Sequence, residues 1–279
     1  MARSAADTTA LVTGATDGLG RAVAERLARL GATVLLHGRD ADRLAATAAA
    51  IRDRTGSDRL RTFRADLASL AQVRALAAEV EAATPELHVL VANAGIGAGE
   101  PDGTTRQTSR DGHELRFAVN YLAAADLTLR LLPLLRRSAP ARVVLVASAG
   151  QQAIDFDDVM LRRGYEGWHA YRQSKLAQVM FGFELADRVA ADGVTVTSLH
   201  PATFMPTKMV TAGGYGPIDA LETGVAATVR LAVGEDVEGV TGRYYERLLE
   251  GRADPQAYDQ EARRRLWDLT LELTGAPAP

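Results

Sequence analysis

Short segments rich in β-branched residues alternate with longer segments rich in alanine, leucine and arginine along almost the whole chain. This alternation is typical of repeated β-α units, in which each helix connects two parallel strands of one sheet. We therefore predict an α/β fold with a doubly wound parallel sheet of about seven strands and helices on both faces. The predicted strands are 10–13, 33–36, 61–63, 89–92, 142–147, 195–199 and 243–245. The predicted helices are 19–30, 41–55, 70–83, 112–137, 168–191 and 221–233, with a C-terminal helical cap at 255–275.

Two long insertions interrupt this pattern. They are 150–167 and 201–217, and the second contains Gly213, Gly214 and Gly216. Both follow predicted strand ends, where ligands bind in doubly wound sheets, and long irregular insertions in compact domains are often functional. A chain of 279 residues can bury one full core, so we predict one domain over 1–279, with both insertions at a substrate site.

Composition excludes several classes of function. The net charge of −3 and the isoelectric point of about 6.0 leave no broad basic surface for nucleic acid. The chain has no cysteine, which excludes disulfides, thiolate nucleophiles and cysteine-ligated metals. His113, His169 and His200 do not have the spacing of metal ligands, so no metal site is predicted.

The sequence also carries no targeting pattern. Its start runs into the first predicted strand without the charged and apolar regions of a secretory signal. The most apolar stretch, 127–135, is interrupted by Arg130 and Pro133 and is shorter than the roughly 20 apolar residues that cross a bilayer. We expect a cytoplasmic protein that does not bind membranes.

A glycine-rich turn joins the first predicted strand to the first predicted helix, with Gly14, Gly18 and Gly20 in a G-x-x-x-G-x-G spacing. Glycine lets the backbone approach a pyrophosphate, and a helix N-terminus offers free N–H groups to that anion. Taken alone, the turn could be an ordinary tight turn. In its strand-turn-helix context it predicts a Rossmann-type dinucleotide site formed by Gly14, Thr16, Asp17, Gly18, Leu19 and Gly20.

The end of the second strand bears on which dinucleotide binds. An acidic residue at this strand end would bind both ribose hydroxyls and repel a 2′-phosphate, whereas the guanidinium of Arg39 can bind that phosphate. We therefore predict NADPH/NADP. NADH stays open, because Asp40 can accept a ribose hydroxyl, or can simply cap the next helix beside a solvated Arg39.

Two further strand ends complete the predicted cofactor site. Asp66 and Leu67 close the third strand, where a carboxylate can accept from the adenine amino group. Asn93, Ala94 and Gly95 close the fourth strand, where small residues let the nicotinamide ribose lie against the backbone. Each could be an ordinary turn by itself, but their order along the chain favours a site.

Three side chains carry the predicted chemistry. Ser148 lies just past the fifth strand, and Tyr171 and Lys175 are four residues apart on one helix face. A phenol with a pKa near ~10 needs its anion stabilised to act near neutral pH, and we expect the ammonium of Lys175 to do this. Ser148 and Tyr171 would hold a carbonyl oxygen while a nicotinamide supplies hydride and Tyr171 donates the proton.

In this order, the residues resemble the short-chain dehydrogenase/reductase family over nearly the whole chain. The likeness rests on Gly14, Gly18, Gly20, Asn93, Ala94, Gly95, Ser148, Tyr171 and Lys175. It implies a catalytic asparagine at Asn120, which supports a water relay behind the lysine. The long spacing from Ser148 to Tyr171, the run 170–177 and the tail at 242–245 and 265–267 resemble the retinol-dehydrogenase-like branch. That branch commonly reduces apolar carbonyls with NADPH, and dimers or tetramers are common in the family.

The chain departs from the family after the sixth strand. The family's proline and glycine, followed by a threonine that contacts the nicotinamide carboxamide, are replaced by Pro201, Ala202 and a later Thr203 and Thr207. We place Pro201 and Thr203 at the cofactor, with Thr203 and Thr207 both open as the carboxamide contact. The insertions supply apolar side chains that line a pocket or pack on the domain: Phe156, Met160, Trp168, Phe204, Met205, Met209 and Tyr215.

The sequence therefore predicts one dinucleotide-binding catalytic domain. Its expected activity is NADPH-dependent reduction of a ketone or aldehyde on a bulky apolar small molecule, with Tyr171 as proton donor. The alternatives are an NAD-dependent alcohol dehydrogenase of the same family and a dinucleotide-binding sensor or scaffold without turnover. A homo-oligomer is compatible with each.

Overall fold

The computed structural model describes residues 4–99, 101–212 and 214–279, so Gly213 of the second insertion lies outside the described residues. One sheet runs through the molecule. Its strands are β1 (Thr9–Val12), β2 (Thr33–Gly38), β3 (Leu60–Arg64), β4 (Val89–Ala92), β5 (Ala141–Val146), β6 (Val194–His200), β7 (Arg243–Glu246) and β8 (Leu249–Glu250).

The strand order is β3-β2-β1-β4-β5-β6-β7-β8. Every pair from β3 to β7 is parallel, and β8 pairs antiparallel with β7. The order reverses between β1 and β4, as in doubly wound sheets, so the predicted fold class is confirmed. The two-residue β8 was not predicted, because so short and exposed a strand has no readable period.

Eight α-helices flank the sheet in the described residues. They are α1 (Gly18–Arg29), α2 (Ala41–Thr55), α3 (Leu70–Ala83), α4 (Ala123–Arg137), α5 (Gly167–Arg188), α6 (Lys208–Ala212), α7 (Leu221–Val233) and α8 (Gln260–Thr274). Shorter helical turns occupy Ala5–Asp7, Glu235–Val237 and Pro255–Tyr258, and a π-helix spans Phe117–Leu122.

The predicted helix 112–137 begins too early. Gly112 has a φ of 84°, and Glu114 forms a β-bridge with Thr108, so the chain turns before it becomes helical. The π-helix Phe117–Leu122 then leads directly into α4. The predicted cap 255–275 divides into a 3-10 turn and α8, and the short α6 inside the second insertion was not predicted.

The sheet separates two apolar cores because alternate residues of a strand point to opposite faces. Ala10 and Val12 of β1 pack with α1, α2 and α7, whereas Leu11 packs in the core that holds α3, α4 and α5. α8 covers the outer side of α5, where the ring of Trp267 stacks on that of Phe181 at 5.7 Å. The helices thus cover both faces of the sheet. The loops that follow the carboxyl ends of the parallel strands lie together at one edge.

One helical stretch in the described residues, Phe117–Arg137, has the length and apolar composition of a membrane span. It is longer than the sequence pattern around Arg130 and Pro133 suggested. However, 78% of its apolar window is buried inside the molecule, and core helices pass the same test.

Candidate active site

The predicted site residues follow the carboxyl ends of the parallel strands. β1 leads into the glycine loop, β4 leads into Asn93, and β5 ends two residues before Ser148. Because β1 and β4 are neighbours at the point where strand order reverses, these loops meet beside one crevice. This is where doubly wound sheets bind ligands.

Asn93 holds the glycine loop from the neighbouring strand. Its Nδ2 donates to the main-chain oxygen of Thr13 at 2.8 Å, and Thr13 Oγ1 accepts from the N–H groups of Asn93 and Ala94 at 2.9 Å each. A Cβ on Gly20 would collide with the Gly14 carbonyl oxygen and the Asn93 amide. The loop therefore keeps an open backbone surface that only glycine allows.

The first residues of α1 form the other side of the glycine loop. Asp17 caps the helix, since its Oδ1 accepts from the N–H of Gly18 at 2.7 Å. Gly18 has a φ of 48°, and a Cβ there would lie 3.0 Å from Cγ2 of Thr207. Leu19 is buried in the core, so its main-chain N–H is the part available to an anion.

His37 connects the glycine loop to the residue after β3, and it was not predicted as a site residue. Its Nδ1 accepts from the N–H of Gly14 at 3.3 Å, and its Nε2 donates to the carbonyl of Ala65 at 3.1 Å. The ring is 2% exposed, and burial lowers the His37 pKa from 6.5 to about 4. The neutral ring thus ties the glycine loop to the end of β3.

Two arginines, Arg39 and Arg43, follow the end of β2, and Arg43 contacts the glycine loop. Asp40 caps α2 by accepting from the N–H of Arg43 at 2.9 Å, and Arg39 is exposed. Arg43 Nη2 lies 3.0 Å from Asp17 Oδ2 and 3.4 Å from the carbonyl of Thr16. Arg43 was not predicted as a site residue. The available sequence signal was Asp40, because a helix-capping residue there puts Arg43 in the first turn of α2.

After β3, the carboxylate of Asp66 contacts a main-chain N–H and an arginine. Asp66 Oδ1 accepts from the N–H of Ala68 at 3.0 Å, and Asp66 Oδ2 lies 4.0 Å from a guanidinium nitrogen of Arg110. The Asp66 side chain is partly exposed and Leu67 is buried. Contact of these two residues with an adenine stays a prediction.

Tyr171, Ser148 and Lys175 lie together at the start of α5. Tyr171 is partly exposed and lies beside the side chain of Ser148, whose Oγ accepts from the N–H of Gly150 at 3.0 Å. Lys175 is 4% exposed, and its Nζ lies 5.9 Å from the centre of the Tyr171 ring. Nζ donates to the carbonyl of Val146 and to Oε1 of Gln178, both at 2.9 Å.

Burial shifts the pKa values of both titratable groups in this cluster. Burial raises the pKa of Tyr171, and its hydrogen bond with Ser148 lowers it by less. Burial also lowers the pKa of Lys175 from 10.5 to about 7, so charged and neutral amine are both populated near neutral pH. Burial is the largest influence on the Tyr171 pKa, and activation of the phenol by Lys175 stays a prediction.

Asn120 lies in the π-helix and is fully buried. Its Oδ1 accepts from the N–H of Ile96 at 2.8 Å, and its Nδ2 donates to Ser174 Oγ at 3.0 Å and to the Ile96 carbonyl at 3.2 Å. A Cβ on Gly95 would lie 3.1 Å from Asn120 Oδ1 and 3.6 Å from Lys175 Nζ. Asn120 thus joins the loop after β4 to α5 beside the lysine, while its part in a water relay stays a prediction.

The two threonine candidates have different neighbours. Pro201 directly follows β6, and Thr203 Oγ1 lies 3.0 Å from Nε2 of His200. The N–H of Thr203 donates to Oδ2 of Asp219 at 2.7 Å. Thr207 instead lies against the glycine loop. The contact of Thr203 or Thr207 with the nicotinamide carboxamide stays a prediction.

Three aromatic side chains form a series of ring contacts that begins at Tyr171. Trp168 contacts Tyr171 edge-on at 5.9 Å and Tyr215 at 5.6 Å between ring centres, and its Nε1 donates to the Tyr215 hydroxyl at 3.2 Å. Tyr215 stacks on Phe204 at 5.0 Å. A pocket of about 310 Å³ opens between Trp168, Tyr215 and the loop containing Gly99 and Gly103.

The other apolar candidates have packing roles. Phe156 and Met160 pack against the core that contains α5, and Met205 packs against the opposite core. Met209 lies beside Gly97, where a Cβ would come within 2.9 Å of Met209 Cγ. Among the described residues, no group of three or more His, Cys, Asp or Glu side chains could hold a metal ion.

Known proteins are similar to this chain in sequence and in fold. The sequence model of the short chain dehydrogenase family matches residues 8–214. Retinol dehydrogenase 13 of Mus musculus is 36% identical over 284 residues, covering 96% of this chain and 84% of that protein. Polyprenol dehydrogenase of Mus musculus is 39% identical over 285 residues, with coverage of 96% and 84%. A short chain dehydrogenase of Shigella flexneri complexed with NADP has a TM-score of 0.71 and 28% identity, covering 87% of this chain and 98% of that chain.

The chain therefore belongs to the short-chain dehydrogenase/reductase family and, within it, to the retinol-dehydrogenase-like branch. This family consists of oxidoreductases with a Rossmann fold, and the resemblance stated from the sequence is confirmed.

Proposed function

We propose that this oxidoreductase uses NADPH to reduce a ketone or aldehyde on a bulky apolar molecule, with Tyr171 as the proton donor. The observation that carries the proposal is that the side chains of Tyr171 and Ser148 lie together at the partly exposed start of α5, one helical turn from the buried Lys175. Two hydroxyl groups that converge in this way can hold one carbonyl oxygen and stabilise the negative charge that develops on it.

The residues present fit a nicotinamide dinucleotide. The glycine loop keeps the space that a Cβ on Gly20 would fill, and the N-terminus of α1 faces the same loop. Gly14, Thr16 and Gly18 would hold the pyrophosphate, Asp66 the adenine, and Thr203 or Thr207 the carboxamide. When bound, the dinucleotide supplies the hydride.

Two observations favour NADPH over NADH. Arg39 directly follows β2 and Arg43 lies in the first turn of α2, where its guanidinium reaches Asp17, while Oδ1 of Asp40 caps α2. A 2′-phosphate would be bound by such cations, whereas a free ribose hydroxyl needs an available acceptor. The Shigella flexneri relative complexed with NADP supports the same choice.

The protonation state of Tyr171 is compatible with the role of proton donor. Because burial raises the Tyr171 pKa, the phenol stays protonated near neutral pH and can donate to a forming alkoxide. Lys175, with a pKa of about 7, can lose and regain a proton in the same range. A sensor without turnover would have no use for this paired acid and amine.

Aromatic surface near Tyr171 supports a bulky apolar substrate. The ring of Trp168 contacts that of Tyr171, and Trp168 and Tyr215 line a pocket of about 310 Å³ on the far side of Trp168. Two relatives are named for retinol and polyprenol, which are long apolar alcohols.

The test compares cofactors and then substrates with the purified full chain. NADPH and NADH are titrated by nicotinamide fluorescence, and oxidation of the preferred cofactor is followed with polyene aldehydes, polycyclic ketones and small polar aldehydes. We expect tighter binding of NADPH and turnover of the apolar carbonyls. Preference for NADH would support the alcohol dehydrogenase alternative, and binding without turnover of any carbonyl would support the sensor.

A further inference from the structure

The main-chain carbonyl of Ser148 accepts two hydrogen bonds from separate parts of the chain. The hydroxyl of Tyr244 in β7 donates to it at 3.1 Å across 96 residues of sequence. Gln151 Nε2 donates to the same oxygen at 2.8 Å. Gln151 Oε1 in turn accepts from the N–H of Asp254 at 2.9 Å, so the segment before α8 also reaches this point.

Ser148 needs such support because it lies beyond the sheet. Ala147 makes the last bond to β6, through its N–H to the carbonyl of Leu199 at 2.8 Å. After Ala147, the direction of the chain depends on contacts other than the strand ladder. Two donors on the Ser148 carbonyl restrict the rotation of that residue, which sets where its Oγ lies relative to Tyr171.

We propose that Tyr244 and Gln151 are positioning residues that hold Ser148 against Tyr171 through the Ser148 carbonyl. This inference rests on the proposed function, and it makes β7 and the segment before α8 part of the catalytic apparatus. Tyr244 is 1% exposed, and burial raises its pKa, so its hydroxyl remains a hydrogen-bond donor at any pH at which the enzyme is assayed.

A purely structural role makes a different prediction. Buried tyrosines usually have a partner for the hydroxyl, and losing that bond lowers stability wherever it lies. A positioning role also couples Tyr244 to Ser148 in the reaction itself. Tyr245, the next residue of β7, packs in the opposite core with Arg230 over its ring, and so provides a matched control.

The experiment is a double-mutant cycle with Tyr244→Phe and Ser148→Ala, with Tyr245→Phe as control. We expect Tyr244→Phe to lower kcat about tenfold, with unchanged affinity for NADPH, and to cause no further loss of kcat in the Ser148→Ala background. Tyr245→Phe should leave kcat unchanged. An equal fractional loss of kcat in both backgrounds, or an unchanged kcat in Tyr244→Phe, would overturn the proposal.

Two additional measurements separate this proposal from the proposed function. Gln151→Met removes the second donor at a partly exposed position, and should couple to Ser148→Ala in the same way if Tyr244→Phe does not fold. Crystal structures need no turnover: in Tyr244→Phe or Gln151→Met, the Ser148 hydroxyl should move away from Tyr171. An unmoved Ser148 would contradict the positioning role, whereas a wild-type chain that reduces no carbonyl would contradict only the proposed function.

Discussion

Lys175 is buried, and burial disfavours the charged form of its amine. Burial lowers its pKa from 10.5 to about 7, so the unfolded chain binds more protons than the folded chain between these values. The free energy of unfolding therefore rises with pH across this window because of Lys175. A residue kept at such a cost is typical of a functional site.

Replacing Lys175 by methionine should stabilise the chain and abolish activity. At pH 7 we expect the free energy of unfolding to increase by about 1–3 kcal/mol, despite the lost hydrogen bonds to Val146 and Gln178. The increase should shrink as the pH approaches 10. Denaturant unfolding at several pH values measures both effects, and a destabilised variant at pH 7 would refute this account of the lysine.

His37 should make the chain acid-sensitive. Its pKa is lowered from 6.5 to about 4, so the free energy of unfolding falls as the pH drops through this window, by up to about 3 kcal/mol. His37→Leu should flatten that dependence, leaving the part due to His200, whose pKa is also lowered to about 4. It should also weaken NADPH binding, because Gly14 loses its partner. The unfolding free energies at pH 7 and pH 5 decide this, and an unchanged difference between them would contradict it.

Arg43 should contribute to the choice of NADPH. Because it lies beside the glycine loop, Arg43→Ala should weaken NADPH binding about tenfold and leave NADH binding nearly unchanged. Arg52→Ala is the matched control, since Arg52 lies on the same helix but pairs with Asp58. Fluorescence titration with both cofactors measures the effect. Equal weakening for NADPH and NADH would show that Arg43 supports the loop without binding the 2′-phosphate.

At the scale of the elements, α8 packs on α5, the helix that carries Tyr171 and Lys175. Trp267 is 2% exposed, stacks on Phe181 of α5 and has the guanidinium of Arg188 4.2 Å from its ring centre. Trp267→Ala should lower the free energy of unfolding by about 3–5 kcal/mol. Leu248→Ala, at a position 48% exposed, should have little effect. Chemical denaturation of both variants tests this, and similar losses in the two would mean that α8 is not an integral part of the core.

The β-α units could be predicted from the sequence because each is set by a local pattern. Buried parallel strands such as β4 are continuous apolar runs, and the helices carry one apolar face. The π-helix around Asn120 could not be predicted, because it differs from an α-helix in hydrogen-bond register and not in composition. α6 and β8 are too short for a period to be read.

The same limit applies to the site. The glycine spacing and the pair Tyr171 and Lys175 are local, so they could be read directly. The contact of Arg43 with Asp17 spans 26 residues, and that of Tyr244 with Ser148 spans 96. Such contacts depend on which strands become neighbours and how far each loop extends, which single-sequence patterns do not determine.

In the whole molecule, one sheet brings these parts to a common edge. Loops after β1, β4, β5 and β6 supply the glycine loop, Asn93, Ser148 and the second insertion, and the π-helix and α5 add Asn120 and Tyr171. Helices pack on both faces of the sheet, and Trp168 contacts the ring of Tyr171. The central claim is that this edge delivers hydride and a proton to one carbonyl group.

The most direct test is isotope transfer from NADPH deuterated at the reactive carbon of the nicotinamide to an apolar aldehyde. The wild-type chain should give an alcohol with deuterium on the former carbonyl carbon. Tyr171→Phe should lower the rate about 10²–10⁴-fold, while Tyr258→Phe, at a residue 46% exposed, should not. Product without deuterium, or an undiminished rate in Tyr171→Phe, would contradict the account.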